Sequence, residues 1–231
     1  MGSKYIGLMS GTSLDGIDAA LIDVDGDNTV QFVSSVSAAI PAELKADILQ
    51  LCSTSDGEIE LLGRTDREIA RVFANAALQL CKTAKLDPKD ITAIGSHGQT
   101  VRHRPPDSTR HHTQAFTLQI GDPNTIAEIS GITTIGDFRR RDIAAAGQGA
   151  PLVPAFHAAV FASQTEDRVI LNIGGMANIS LLQKNGDVIG FDTSNSICRP
   201  FWTRLRNSHR WRLTMSKPRY LNSPHAAFAM R

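Results

Sequence analysis

The sequence predicts a mixed α/β fold, and three observations carry that expectation. The first is the stretch Leu8-Met9-Ser10-Gly11-Thr12-Ser13-Leu14-Asp15-Gly16-Ile17-Asp18. An apolar segment, Tyr5–Met9, runs into it and another, Ile17–Val24, runs out, so it reads as strand, glycine turn, strand. The second is a repetition of this device far along the chain: strand Arg168–Ile173, turn Gly174-Gly175-Met176-Ala177-Asn178, strand Ile179–Leu182. The third is a long amphipathic pattern between the two, Glu58–Thr83, in which Ile59, Leu62, Ile69, Val72, Phe73, Ala76 and Leu80 make one apolar stripe.

The remaining elements follow in chain order. Gln31–Val36 reads as a third strand after the first hairpin. Pro41 opens a helix through Leu44, Ile48, Leu49 and Leu51, since proline is tolerated at an early helical position. Asp87-Pro88 breaks the long helix, and Ile91–Gly95 is a short buried strand, expected to end in a polar loop, Ser96–His103. Residues 104–113, with two prolines and two histidines, read as surface loop. His111-His112 has no acidic or cysteine neighbour and is not read as a metal site. Phe116–Ile120 is a strand closed by Gly121-Asp122-Pro123, and Asn124 is expected to cap a helix to Ile129. Ile132–Ile135 is a strand that delivers Gly136–Asp142. After the loop Gly147–Pro151, Leu152–Phe161 is a helix leading to a second unit, and Val188–Asp192 is a strand with a carboxylate at its end.

Composition narrows the class. A chain of 231 residues has room for one large domain or two small ones, and 42% hydrophobic with 20% charged residues is ordinary for a soluble globular protein. No apolar run approaches a membrane span, and the first ten residues do not read as a signal peptide. Cys52, Cys81 and Cys198 are odd in number and lack metal-like spacing. A reduced, cytoplasmic setting without a membrane partner is the resulting expectation. The formal net charge of +1 hides a seam: eight of the 24 Lys/Arg and none of the 23 Asp/Glu lie in residues 194–231. Both tryptophans, Trp202 and Trp211, lie there too.

Three stretches carry candidate chemistry. The turn at Gly11–Gly16 offers glycines for close backbone approach, the hydroxyls of Thr12 and Ser13, and the carboxylate of Asp15. Such a turn is suited to an anion such as a nucleotide phosphate, or is an ordinary hairpin. It is not a Walker loop, because no Gly-Lys-Ser/Thr follows. Two glycine hairpins facing one another across a cleft are how actin-like sugar kinases grip ATP. His97, Gln99 and Thr100 cluster at the end of a strand, where α/β proteins place ligand contacts. Asp137-Phe138-Arg139-Arg140-Arg141-Asp142 is either a solvated ion-pair run or a source of bidentate contacts to a carboxylate or phosphate.

Six segments resemble one family, the anhydro-N-acetylmuramic acid kinases of bacterial peptidoglycan recycling. They are residues 8–18, Gly-Ser-His-Gly-Gln-Thr at 95–100, Asp-Phe-Arg-Arg-Arg-Asp at 137–142, Gly-Gln-Gly-Ala-Pro-Leu-Val-Pro-Ala-Phe-His at 147–157, Leu-Asn-Ile-Gly-Gly at 171–175 and Gly-Phe-Asp at 190–192. They stand in the family's order with near-family spacing. The resemblance implies an actin-like ATPase or sugar-kinase fold, cytoplasmic and homodimeric in intact members. It implies an ATP-dependent kinase that opens 1,6-anhydro-N-acetylmuramic acid with water and phosphorylates O6. By the same resemblance Asp192 is the catalytic base, with Asp137 the rival. Gly11, Thr12, Ser13, Leu14, Asp15, Gly16, Ile17 and Asp18 would hold the ATP phosphates, opposed by Gly174 and Gly175. Asp15 or Asp18 would orient Mg²⁺ through water. His97, Gln99, Thr100, Asp137, Arg139 and Arg140 would meet the sugar, its lactyl carboxylate included.

The resemblance covers residues 1 to about 193. The family continues Gly-Phe-Asp-x-Gly-Pro-Gly-Asn, whereas this chain reads Gly190-Phe191-Asp192-Thr193-Ser194-Asn195. With the charge seam at the same place, residues 194–231 read as an aberrant basic tail from a shifted reading frame, not as a nucleic-acid-binding segment. The expected organisation is an N-terminal actin-like domain at 1–150, the start of a second domain at 151–193, and the tail. The alternative function is a catalytically inactive, truncated remnant of the kinase.

Overall fold

The structure, a computed structural model, describes residues 2–27, 29–53, 56–107, 109, 111–172, 177–193, 213–214 and 227–230. In order the elements are β1 Ser3–Ser10, β2 Ile17–Val24, β3 Val30–Ala38, α1 Ala42–Leu51, α2 Glu58–Ala84, β4 Ala93–Arg104, β5 Phe116–Ile120, α3 Pro123–Ser130, β6 Thr134–Ile135, α4 Phe138–Ala144, α5 Pro154–Phe161, β7 Arg168–Asn172, β8 Ala177–Leu182, β9 Val188–Thr193, β10 Leu213–Thr214 and β11 Ala227–Met230. Short 3₁₀ turns lie at Pro88–Asp90 and His112–Gln114. The chain divides into two compact units, Met1–Gly149 and Ala150–Arg231.

The first unit is a mixed sheet in the order β3-β2-β1-β4-β5, with β6 alongside β4. The meander β1-β2-β3 is antiparallel, and β4 joins β1 in parallel. Period-two alternation turns Ile6, Leu8 and Ser10 of β1 and Ile17, Ala19 and Leu21 of β2 into the core. Across that face lies α2, which buries Leu61, Thr65, Ile69, Phe73, Ala77 and Leu80 at helical spacing. Ala70, Ala74 and Ala76, all fully buried, let its backbone come close to its neighbours.

The structure revises several boundaries expected from the sequence. Ile59 is 83% exposed, not in the stripe; it sits in the first turn of α2, and Leu61 and Thr65 take the inward positions. Pro41 is the residue before α1, not inside it. Asp122, not Asn124, caps α3: its carboxylate accepts the backbone N–H groups of Asn124 and Thr125 at 3.1 and 3.0 Å. The arginine run forms the short helix α4.

The largest revision concerns β4, which does not stop at Gly95 but runs on through Ser96–Arg104, twelve residues in all from Ala93. It pairs with β1 from Ala93 to Gln99 on one edge. On the other edge it pairs first in parallel with β6, at Ile94 and Gly95, then antiparallel with β5, at Gln99–Arg104. The strand continues through Gly98 because that residue adopts φ +69°, which a glycine accepts. A Cβ at Gly98 would lie 2.6 Å from the Ile120 carbonyl oxygen.

In the second unit α5 is followed by another antiparallel meander, β7-β8-β9, and β11 and β10 extend the sheet beyond β7. Asn178, expected in the turn, already belongs to β8. Helix α5 packs on β8 and β9, where buried His157 shares a 2.8 Å hydrogen bond between its Nδ1 and Ser180 Oγ. Gly174, Gly175 and nearly all of the expected tail, with Trp202 and Trp211, lie outside the described residues. No helix among the described residues is long and apolar enough to cross a membrane.

Candidate functional site

The two partners of β4 meet head to head. β6 runs parallel to it and ends at Ile135, opposite Gly95; β5 runs antiparallel and ends at Ile120, opposite Gln99. Between these points Ser96, His97 and Gly98 have no strand on that edge. The chain leaving each strand end turns aside, β5 into Gly121–Asn124 and β6 into Gly136–Asp137. A cavity of about 310 Å³ opens there, lined by residues 96–98, 118–124, 136, 137 and 140 and by Leu62 and Asp66 of α2. A strand edge vacated between two neighbours is where α/β sheets place ligands.

His97 sits at the centre of this gap. Its Nε2 lies 2.8 Å from Arg139 Nε, and its Nδ1 lies 2.8 Å from the Gly98 carbonyl oxygen. A guanidinium only donates, so Nε2 carries the lone pair and Nδ1–H donates to Gly98. The ring is therefore neutral, and burial, then the Arg139 charge, holds its pKa below the ordinary value. Arg139 also donates through Nη1 to the Gly149 carbonyl at 3.0 Å, while the Gly149 N–H donates to Asp142 Oδ2 at 2.7 Å. The arginine run thus fastens the 147–149 loop to the strand that carries His97.

Arg140 has a different task. Its Nη1 donates to Asp137 Oδ2 at 3.0 Å, an ion pair that stays half exposed. Gln99 is buried, and its Nε2 donates to the Thr100 carbonyl; Thr100 Oγ1 accepts from Gln119 Nε2 at 3.1 Å. His97, Asp137 and Arg140 line the cavity and Arg139 touches His97, whereas Gln99 and Thr100 support it from the strand.

Residues that sequence reasoning missed complete the lining. Asp66 on α2 accepts the Gly121 N–H at 2.6 Å across 55 residues of chain. Burial pushes its carboxyl above the usual range, and Asp122 adds to this, against the Gly121 and Asp122 N–H groups and Arg67. Ser96 is buried at 3% exposure, and its Oγ has no hydrogen-bond partner among the described residues; the same holds for Gln119 Oε1. In the sequence Asp66 looks like any polar residue on the outer face of a helix, and only the fold reveals it.

The first glycine turn presents a separate surface. Thr12, Ser13 and Asp15 are exposed, and a Leu14 N–H to Gly11 carbonyl bond of 3.2 Å closes the turn. Leu14, at φ +54°, and Ile17 bury their side chains, leaving only their backbone to a ligand. Ser10 Oγ donates to the Gly16 carbonyl, and Asp18 accepts from Ser37 of β3. In the second unit Asn172, Asn178 and Asp192 stand in register across β7, β8 and β9, and Asp192 is exposed. Among the described residues no group of three or more His, Cys, Asp or Glu is placed to hold a metal ion.

Comparison with known proteins gives the family. The family model for anhydro-N-acetylmuramic acid kinase matches residues 3–202. An anhydro-N-acetylmuramic acid kinase from Saccharophagus degradans is 51% identical over 191 residues, which is 83% of this chain and 51% of that protein. One from Shewanella baltica is 54% identical over 190 residues, 82% of this chain and 50% of that protein. The chain spans about half the length of the curated relatives it matches.

Proposed function

The chain belongs to the anhydro-N-acetylmuramic acid kinase family, and from that premise we propose that it is an ATP-dependent kinase acting on 1,6-anhydro-N-acetylmuramic acid. The observation that carries the reading is the coincidence of two family segments, 95–100 and 137–142, on one cavity of monosaccharide scale. In this reading residues 1–150 are an actin-like domain and 151–193 begin a second one. The protein acts in the cytoplasm, in peptidoglycan recycling, and intact members of the family are homodimers.

The reaction joins hydrolysis to phosphoryl transfer. Asp192 takes a proton from a water whose oxygen bonds to C1 of the sugar. The C1–O6 bond breaks, and O6 takes the γ-phosphoryl of ATP, leaving ADP and N-acetylmuramic acid 6-phosphate. A carboxylate suits the base because carboxylates are ordinarily ionised at neutral pH and can take a proton from a water held at hydrogen-bond distance. Asp137 is the weaker candidate, since Arg140 already occupies it. The exposed Thr12, Ser13 and Asp15 and the backbone of the 11–16 turn suit phosphate oxygens. With Mg²⁺ accompanying the nucleotide, Asp15 is the more available carboxylate, because Asp18 already accepts from Ser37. The neutral His97 and the paired Arg140 suit a polyol more than a bare anion.

The test uses residues 1–193 continued by the remaining half of a curated relative. Formation of N-acetylmuramic acid 6-phosphate with ATP is expected, and Asp192→Asn should lower kcat by at least about 10²-fold. The 231-residue chain alone should turn over poorly, since positioning of both reactants is worth roughly 7–11 kcal/mol and half of the relatives' length is not in it. Full activity of the extended Asp192→Asn protein would move the base to Asp137. No product from the extended parent would refute the reading.

A further inference from the structure

The family segment at 147–157 does not line the cavity, yet its second half lies on the strand that carries Asp192. Within the second unit, Ser180 of β8 and Gly190 of β9 stand directly opposite one another. Both face α5, and the helix puts one residue on each. His157 Nδ1 meets Ser180 Oγ at 2.8 Å, and Pro154, one turn earlier, rests on Gly190. A Cβ at Gly190 would overlap the Pro154 ring at its Cγ, with the Pro154 Cβ 3.0 Å away and the Pro151 Cγ 3.4 Å away. A glycine inside a strand marks such a close approach, since any side chain there would push the two elements apart. The far end of the helix is held separately. Arg168 Nη1 donates to the Phe161 carbonyl at 2.8 Å, and Arg168, Leu182 and Val188 share one row of the sheet. The helix therefore starts at Gly190 and runs towards Val188.

Asp192 is the next residue of β9 on this face, because side chains alternate along a strand. It is exposed, and β9 beneath it decides where its carboxylate stands. β9 is the last strand of its sheet and is bonded to β8 along one edge, so the ring seated on Gly190 is a hold besides β8. We propose that Gly190, with Pro154 seated on it, is a positioning residue for Asp192: the contact fixes the spacing of β9 from α5 one inward step before the carboxylate. The proposal rests on the reading of Asp192 as the base that takes a proton from water. Gly190 and Pro154 take no part in bond making. Misplacing a catalytic group by about 1 Å can cost about 10²-fold in rate, so the seat acts on turnover and not on the binding of sugar or ATP.

Two sets of measurements test this. On the 231-residue chain, thermal unfolding reports the seat itself. Gly190→Ala should lower Tm, and Gly190→Ala with Pro154→Ala should lower it less, because the new methyl takes the space that the ring gives up. An unchanged Tm in Gly190→Ala would show that the seat does not exist and overturn the proposal. On residues 1–193 continued by the remaining half of a curated relative, Gly190→Ala should lower kcat about 10²-fold, with KM for sugar and for ATP within about twofold of the parent. Adding Pro154→Ala should recover at least about tenfold of that loss, and adding Gly190→Ala to Asp192→Asn should cost little more, since both act on one step. A parental kcat in Gly190→Ala, where Asp192→Asn is inactive, would overturn the positioning role and leave the base standing. A loss shared equally by KM, or one that Pro154→Ala does not relieve, would assign Gly190 to the fold alone and overturn the role as well. Should Gly190→Ala not fold, Pro154→Ala alone decides: it unseats β9 without a clash and should lower kcat at least about threefold at unchanged KM, and an unchanged kcat would overturn the proposal. Full activity of Asp192→Asn, or no turnover by the parent, is the distinct result that overturns the reading beneath the proposal, and the proposal with it.

Discussion

The neutral His97 makes a pH-dependent prediction that can be worked through. Its ring accepts from Arg139 and donates to the Gly98 carbonyl, so a second proton would have to go on Nε2, facing a guanidinium at 2.8 Å. Burial, and then Arg139, depress its pKa on folding from the ordinary 6.5. The unfolded chain therefore takes the proton more readily than the folded one. The stability this ring contributes is fully present above pH 6.5 and is lost as the pH falls below it. One such group contributes at most about 1.4 kcal/mol per pH unit, and about 1 kcal/mol between pH 6.5 and 5.5 if the folded ring stays neutral over that range. His157, also depressed by burial, adds a slope of the same sign. Comparison with His97→Gln isolates the first ring, because Gln Oε1 still accepts from Arg139 and does not titrate. Urea unfolding at pH 7.5, 6.5 and 5.5 should show the parent losing up to about 1 kcal/mol more than His97→Gln over the last unit. Parallel losses in the two proteins would refute the neutral-ring argument.

Two further outcomes follow from the same region. Gly98→Ala places a Cβ 2.6 Å from the Ile120 carbonyl oxygen at φ +69°, and should cost roughly 2–4 kcal/mol in equilibrium unfolding; an unchanged midpoint would show that β4 and β5 part easily. Asp122→Ala removes a cap that accepts two backbone N–H groups and should cost about 1–2 kcal/mol, whereas Asp122→Asn should recover most of it; equal losses in the two would argue that charge, not capping, is what matters.

The elements with one clear period were legible in the sequence. Both meanders and α2 follow from apolar spacing and glycine turns alone. β4 was not legible beyond Gly95, because Gly98 and a run of polar residues look like a loop, and nothing local says that two strands in succession will pair with them. Ile59 fits the helical stripe by spacing, but it lies in the first turn of α2, and the core takes Leu61 instead. Within the site, His97 and the arginines stood out by their clustering. Their division of labour did not: Arg139 meets His97 across 42 residues and Arg140 meets Asp137 three residues away, which only the start of α4 decides. Asp66 and Ser96 carry no local signal, since their meaning lies in Gly121 and in a missing strand neighbour.

The two-sided pairing of β4 also bears on what happens when this region opens. Its first half is paired with β1 along one edge as far as Gln99, and along the other with β6 at Ile94–Gly95 and with β5 from Gln99, which leaves Ser96–Gly98 open on that second edge alone. Exchange of the amides that bond β4 to β1 should then proceed only through opening of the sheet, at the slow extreme for the first unit. Ser96 and His97 ride on that segment. A ligand here pays little ordering entropy on arrival, and warming should remove affinity and fold together in one transition, with no loosened state in which the sheet survives and the recognition surface is gone.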